Sequence, residues 1–165
     1  MIKLKRLENT EISIVQNLAK EIWNEHYSKI LSQAQIDFML NLFYSEEKIQ
    51  EELNHENITW NLIYLDEIPV GYISCKIESE EIHLSKIYIK SETRGKGLGK
   101  IMLNHAIELT KNLNKKSLYL NVNKYNTDSI KFYESQDFTI IEEGIFDIGN
   151  GYVMDDFIMK KTITH

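Results

Sequence analysis

Residues 94–100 read Arg94-Gly95-Lys96-Gly97-Leu98-Gly99-Lys100, between an apolar run, Ile82 to Ile89, and an amphipathic stretch, Leu98 to Leu113. Strand, glycine loop and helix N-terminus together favour an anion. Glycine lets backbone N–H groups approach a ligand, the helix dipole attracts negative charge, and Arg94, Lys96 and Lys100 add positive charge. Two familiar phosphate loops fail on spacing. The dinucleotide fingerprint G-x-G-x-x-G needs glycine where Lys100 stands. The nucleoside-triphosphate loop needs glycine where Arg94 stands, and Ser or Thr where Ile101 stands. The pattern present is R-x-x-G-x-G, carried by Arg94, Gly97 and Gly99.

Upstream of the loop, residues 2–7 alternate as a strand. Ile12, Val15, Ala19, Ile22 and Trp23 recur at helical spacing, as do Ile36, Met39, Leu40 and Phe43. Ser45-Glu46-Glu47 is suited to cap a short continuation through Ile49 and Leu53. Residues 58–65 and 70–77 are β-rich runs joined through Asp66-Glu67-Ile68-Pro69, and 81–90 is a third strand. Downstream, 117–122 reads as a short buried strand and 126–135 as a helix. Residues 138–145 and 152–160 read as strands turning at Gly149-Asn150-Gly151. The order β-αα-βββ-α-β-α-ββ predicts an α/β fold with a mixed, mostly antiparallel sheet flanked by helices. In the third strand Ile82 and Leu84 are apolar on even positions, Ile87 and Ile89 on odd ones. That change of parity predicts an extra residue, a β-bulge at Ser85-Lys86.

Composition narrows the class. The chain has 165 residues, 42% of them hydrophobic and 27% charged, which fits one folded domain rather than a disordered chain. The net charge of −6 argues against a nucleic-acid partner, which needs a basic face. No apolar run approaches a membrane span, and the first residues lack the apolar core of a secretory signal. With Cys75 alone no intrachain disulfide forms, in keeping with a reducing, cytoplasmic setting. The five histidines show no metal-ligand spacing, so no metal is expected.

The R-x-x-G-x-G spacing resembles the cofactor loop of the GNAT superfamily of acetyl-CoA-dependent N-acyltransferases. Lys86-Ile87-Tyr88-Ile89 resembles the strand that precedes that loop. Asn126-Thr127-Asp128-Ser129-Ile130-Lys131-Phe132-Tyr133-Glu134 is similar to the family's N-x-x-A-x-x-F-Y segment. Ser129 replaces the usual alanine, and Asp137 stands where glycine normally precedes Phe138. Residues 1–165 are thus identified as a single N-acetyltransferase domain with a bulged central strand. The stretches Glu21 to Tyr27, Leu31 to Leu40 and Val153 to Lys161 further resemble the bacterial polyamine acetyltransferases of the PaiA type.

The resemblance implies acetyl-CoA as co-substrate and a primary amine as acceptor, foremost a polyamine or other small cationic amine. A protein N-terminal or lysine acetyltransferase is the alternative, and a non-catalytic acyl-CoA sensor the second. The partner is then a small molecule, with no membrane, and the chain a monomer or homodimer. By resemblance, Arg94, Gly95, Lys96, Gly97, Leu98, Gly99 and Lys100 hold the pyrophosphate. Ile87, Tyr88 and Ile89 pair with the pantetheine arm, and Asn126 and Ser129 also serve the cofactor. Asn121 either bonds cofactor or merely closes its strand. Tyr133 is the family's donor of a proton to the departing thiolate, a role that a phenol protonated at neutral pH can fill. His83 and Glu81, on one side of the third strand, are the candidate bases, with a solvated strand edge as the competing reading. Of Asp155 and Asp156, adjacent on a strand, at most one faces a cationic substrate. Cys75 reads as a buried, inert thiol, which disfavours a covalent intermediate. Trp23, His26 and Tyr27 fit core, rim or acceptor wall equally well.

Overall fold

The structure is a computed structural model describing residues 1–165. Its strands are β1 (Ile2–Arg6), β2 (Ile58–Leu65), β3 (Ile68–Ile77), β4 (Glu81–Ile89), β5 (Ser117–Asn123), β6 (Thr139–Gly149) and β7 (Tyr152–Thr162). The helices are α1 (Ile12–Tyr27), α2 (Gln33–Tyr44), α3 (Glu46–Leu53), α4 (Leu98–Asn112) and α5 (Thr127–Ser135). Ser32 and Ser45 cap α2 and α3, each hydroxyl accepting the backbone N–H of the helix's third residue, Gln35 and Lys48.

The strands form one sheet in the order β1-β2-β3-β4-β5-β7-β6. Every pair is antiparallel except β4 and β5, whose parallel alignment requires the crossover through α4. Helices α1–α3 bury Val15, Trp23, Ile36 and Met39 against Trp60, Leu62 and Tyr72 on one face. On the other face α4 and α5 set Leu98, Met102, Leu103 and Tyr133 against Ile73, Cys75, Ile82 and Leu84. No helix is long and apolar enough to cross a membrane.

The expected bulge is present. Ser74 pairs with Lys86 and Cys75 with Leu84, which leaves Ser85 unmatched. The Ser85 hydroxyl donates to the Ser74 carbonyl at 3.1 Å. The extra residue keeps Ile82, Leu84, Ile87 and Ile89 on the α4 face, while Tyr88 joins the α1 face. Beyond this point the sheet opens. β4 pairs with β5 only through Glu81–Ser117, Ile82–Leu118 and His83–Tyr119.

Two boundaries differ from the sequence expectation. The first hairpin turns on Asp66 and Glu67 alone, at φ 49° and 69°, so Ile68 and Pro69 already belong to β3. The last two strands are longer than the alternation indicates, because Gly149, Asn150 and Gly151 all take positive φ and confine the turn.

Candidate active site

The divergence of β4 from β5 opens a cavity of about 410 Å³. One wall is the strand edge that β5 has left. The Lys90 N–H donates to the Val70 carbonyl. Alternation therefore turns the N–H groups of Ile87 and Ile89 toward the cleft. At the cavity mouth lies the glycine loop. Gly95 and Gly97 take φ of 80° and 77°, and a Cβ at either would meet no atom within 4 Å. Packing does not demand glycine here; backbone conformation does, and the space beside it stays open. The N–H groups of residues 95–100 donate to no acceptor in the chain, and they line the start of α4. Such a run of unpartnered amides at a helix N-terminus is a nest for an anion.

α5 supplies the opposite wall. Asn126 caps it, its side-chain oxygen accepting the Ser129 N–H at 3.3 Å. Asp128, Ser129, Phe132 and Tyr133 follow along the cavity. Tyr133 is 8% exposed, and burial pushes its phenol above the ordinary range. The backbone at Asp137 has φ 70°, which lets the Phe138 N–H return to the Tyr133 carbonyl at 3.0 Å and end the helix there.

From α1 come His26 and Tyr27. His26 Nδ1 lies 3.0 Å from Arg94 Nη2, and Nε2 lies 2.7 Å from Asn126 Nδ2. Burial first, then the Arg94 charge, holds this imidazole below its usual pKa. The Tyr27 and Tyr88 hydroxyls meet at 3.1 Å. Burial raises Tyr27 to about 12.

Of the residues expected to hold cofactor, Ile87, Tyr88, Ile89, Arg94, Gly95, Gly97, Leu98, Gly99, Lys100, Asn121, Asn126 and Ser129 all line this cavity. Lys96 does not; its charge is felt at Asp66 instead. Tyr133 lines it, but Glu81 and His83 lie outside, where β4 and β5 are still paired. There the Glu81 carboxylate accepts Lys160 Nζ at 2.8 Å. The His83 ring stacks on Tyr119 at 4.5 Å, and burial lowers its pKa. Cys75 is buried outside the cavity, its thiol pushed up to about 12 by burial. His26 and Tyr27 are walls that helical spacing alone left open. Phe132 and Asp128 joined them through motif positions given no role in the sequence.

Comparison with known proteins bears on this arrangement. The sequence profile described as the Acetyltransferase (GNAT) family matches residues 15–138. A spermidine N(1)-acetyltransferase of Thermoplasma acidophilum is 26% identical over 97% of this chain and 96% of its own. A peptidyl-lysine N-acetyltransferase of Salmonella typhimurium is 27% identical over 74% of this chain and 79% of its own. The crystal structure of the PaiA N-acetyltransferase of T. acidophilum in complex with coenzyme A superimposes with a TM-score of 0.85 at 25% identity. That match covers 98% of this chain and 99% of the other. Arg94, Gly97 and Gly99, the splayed strands and the helix bearing Tyr133 all fall within the matched span, and the chain belongs to the GNAT family of acetyltransferases.

Proposed function

We propose that the protein transfers the acetyl group of acetyl-CoA to a primary amine of a small cationic substrate, a polyamine in the first instance. The observation that carries this reading is the run of unpartnered amides at residues 95–100 beside the free edge of β4. That pair of features suits a ligand with a pyrophosphate at one end and an amide-bearing arm at the other. Acetyl-CoA supplies an activated acyl group as a thioester. The chain does the rest. Arg94, Lys100 and the loop amides bind the anionic part, and Asn126 and Ser129 stand alongside. The N–H groups of Ile87 and Ile89 hold the arm as an added strand. Tyr133, which burial keeps protonated, donates to the sulfur as it leaves. Cys75 lies outside the cavity with its thiol held neutral, which favours direct transfer over an acyl-enzyme. The spermidine acetyltransferase among the relatives, matched along nearly its whole length, favours the polyamine as acceptor.

The test is an amine panel (spermidine, spermine, putrescine, a lysine peptide and a peptide with a free N-terminus) with free CoA thiol as readout. Release is expected fastest with a polyamine. Preference for either peptide overturns the polyamine assignment. Tight acetyl-CoA binding with no thiol released by any amine overturns the enzyme reading.

A further inference from the structure

The imidazole of His26 stands where three elements meet. It lines the cavity from the last turn of α1, between Arg94 of the glycine loop and Asn126 at the head of α5. Two further polar contacts seat this end of α1. Glu21 pairs with Lys90 Nζ at 3.2 Å, and the Ser91 hydroxyl donates to the Glu25 carboxylate at 2.7 Å. The ring is thus carried on a helix tied to the segment that leads into the loop.

The donors and acceptors around the ring fix its protons. Asn126 Oδ1 is committed to the Ser129 N–H as the cap of α5. That turns Nδ2, which only donates, toward His26 Nε2 at 2.7 Å. Nε2 must therefore be the acceptor, and in the neutral ring the proton sits on Nδ1. Nδ1 faces Arg94 Nη2 at 3.0 Å, and a guanidinium has no lone pair to offer. Two N–H groups meet at hydrogen-bond distance with no acceptor between them. Asp128 of α5, the one carboxylate whose charge acts on the ring, makes no hydrogen bond to it. Tyr27 offers only an edge-on aromatic contact at 4.9 Å. Protonation would not relieve the conflict, because both ring nitrogens would then be donors facing donors. Burial and the Arg94 charge oppose that form.

We infer that His26 is a phosphate ligand, its Nδ1–H and the Arg94 guanidinium closing together on one phosphate oxygen of acetyl-CoA. The inference rests on the acetyltransferase reading above and adds to it a residue from the first helix, far in sequence from R-x-x-G-x-G. A phosphate oxygen has lone pairs for both donors at once, so a contact frustrated in the free protein becomes two charge-assisted hydrogen bonds. The unpartnered amides of residues 95–100 belong to the loop that Arg94 opens, and Gly95 and Gly97 line the same cavity. Asn126 acts on the ligand through the ring: by occupying Nε2 it holds the proton on Nδ1, where the anion needs it.

The tautomer is tested in the free protein. Long-range proton–nitrogen correlation spectra should show His26 protonated on Nδ1 at neutral pH, and that resonance should shift when CoA is added. His26→Leu removes the donor and should weaken CoA binding roughly 10- to 100-fold by calorimetry, the scale of one hydrogen bond to a charged acceptor. His26→Asn, whose amide N–H falls near the place of Nδ1, should recover most of that loss. His26→Gln, whose amide falls near Nε2, should not. With S-acetylpantetheine, which has no phosphate, the Leu variant and the wild type should acetylate spermidine at equal rates. Dephospho-CoA separates the two sources of the oxygen. A loss that persists with it assigns the pyrophosphate, and one that vanishes assigns the ribose phosphate. A ring protonated on Nε2, unchanged CoA affinity in the Leu variant, or the same loss with S-acetylpantetheine overturns the role of His26 alone. A wild type that binds no CoA overturns the function itself.

Discussion

Arg94 Nη2 lies 3.0 Å from His26 Nδ1, so a cation of the anion loop leans on a ring from α1. A guanidinium only donates, and a neutral imidazole accepts at one nitrogen. Asn126 Nδ2, 2.7 Å from the other ring nitrogen, is a donor as well. Two donors thus compete for one acceptor, and Arg94 can turn from His26 to a phosphate without leaving a buried group unsatisfied. Arg94→Ala should weaken acetyl-CoA binding by about 1.5–3 kcal/mol, the scale of a charged hydrogen bond. That corresponds to roughly 10- to 150-fold in Kd. Lys96→Ala is the control: Lys96 does not line the cavity, and a shift below about threefold is expected at physiological salt. Calorimetry with both variants decides, and equal effects would remove Arg94 from the site.

Tyr133 tests the chemistry on the sulfur. Its hydroxyl gains nothing from a hydrogen bond within the chain; burial and the nearby Tyr27 act on it and raise its pKa. An acid that meets negative charge only as the C–S bond breaks lowers kcat and kcat/KM together and leaves cofactor binding alone. Tyr133→Phe should reduce kcat roughly 10- to 1,000-fold, with melting temperature and acetyl-CoA Kd nearly constant. Single-turnover rates distinguish this from slow product release. A variant retaining more than about half of the wild-type single-turnover rate returns Tyr133 to the core.

Asp137 adopts φ 70°, the left-handed conformation that costs an ordinary L-residue about 1–2 kcal/mol and glycine almost nothing. This accounts for the glycine that the family pattern carries here. The Lys161 ammonium approaches the Asp137 carboxylate at 3.7 Å, but the carboxylate is 89% exposed and such a pair adds little. Asp137→Gly should raise stability by about 0.5–1 kcal/mol, read as a higher denaturant midpoint with unchanged slope. A lower midpoint would mean that the ion pair outweighs the backbone.

Much of this architecture is legible along the chain because it is local. The parity change from Leu84 to Ile87 announced the bulge, and R-x-x-G-x-G announced the loop, without any long-range contact. What escaped depends on register between distant segments. Glu81 and His83 looked available because alternation sets a side but not where β5 stops pairing; that limit, at Tyr119, leaves both on the closed part of the sheet. Tyr27 and Trp23 share a helical face, yet only the seating of α1 decides that Tyr27 reaches Tyr88 across the cleft. Asp155 and Asp156 part only in the folded chain, where the first pairs with Lys124 and the second is buried opposite Asn123, and neither lines the cavity.

The bulge itself offers the sharpest separation of fold from function. With Ser85 deleted, the strand would read Ile82-His83-Leu84-Lys86-Ile87-Tyr88-Ile89, a regular alternation of core and opposite face. The pairs Ser74–Lys86 and Cys75–Leu84 would become consecutive, so the register with β3 survives on both sides of the deletion. The hydrogen bond from Ser85 to the Ser74 carbonyl is lost, at a cost of about 1 kcal/mol. Against that, one unpaired residue leaves the ladder, so the melting temperature should move by only a few degrees. The splay should not survive. A straight β4 follows β5 past Tyr119, and the edge of Ile87 and Ile89 becomes paired instead of open. Acetyl-CoA affinity should therefore drop at least about tenfold in a chain that still folds, with circular dichroism reporting the fold and calorimetry the binding. Full affinity in the deletion variant would show that the cleft is held open by the packing of α4 and α5 and not by the extra residue.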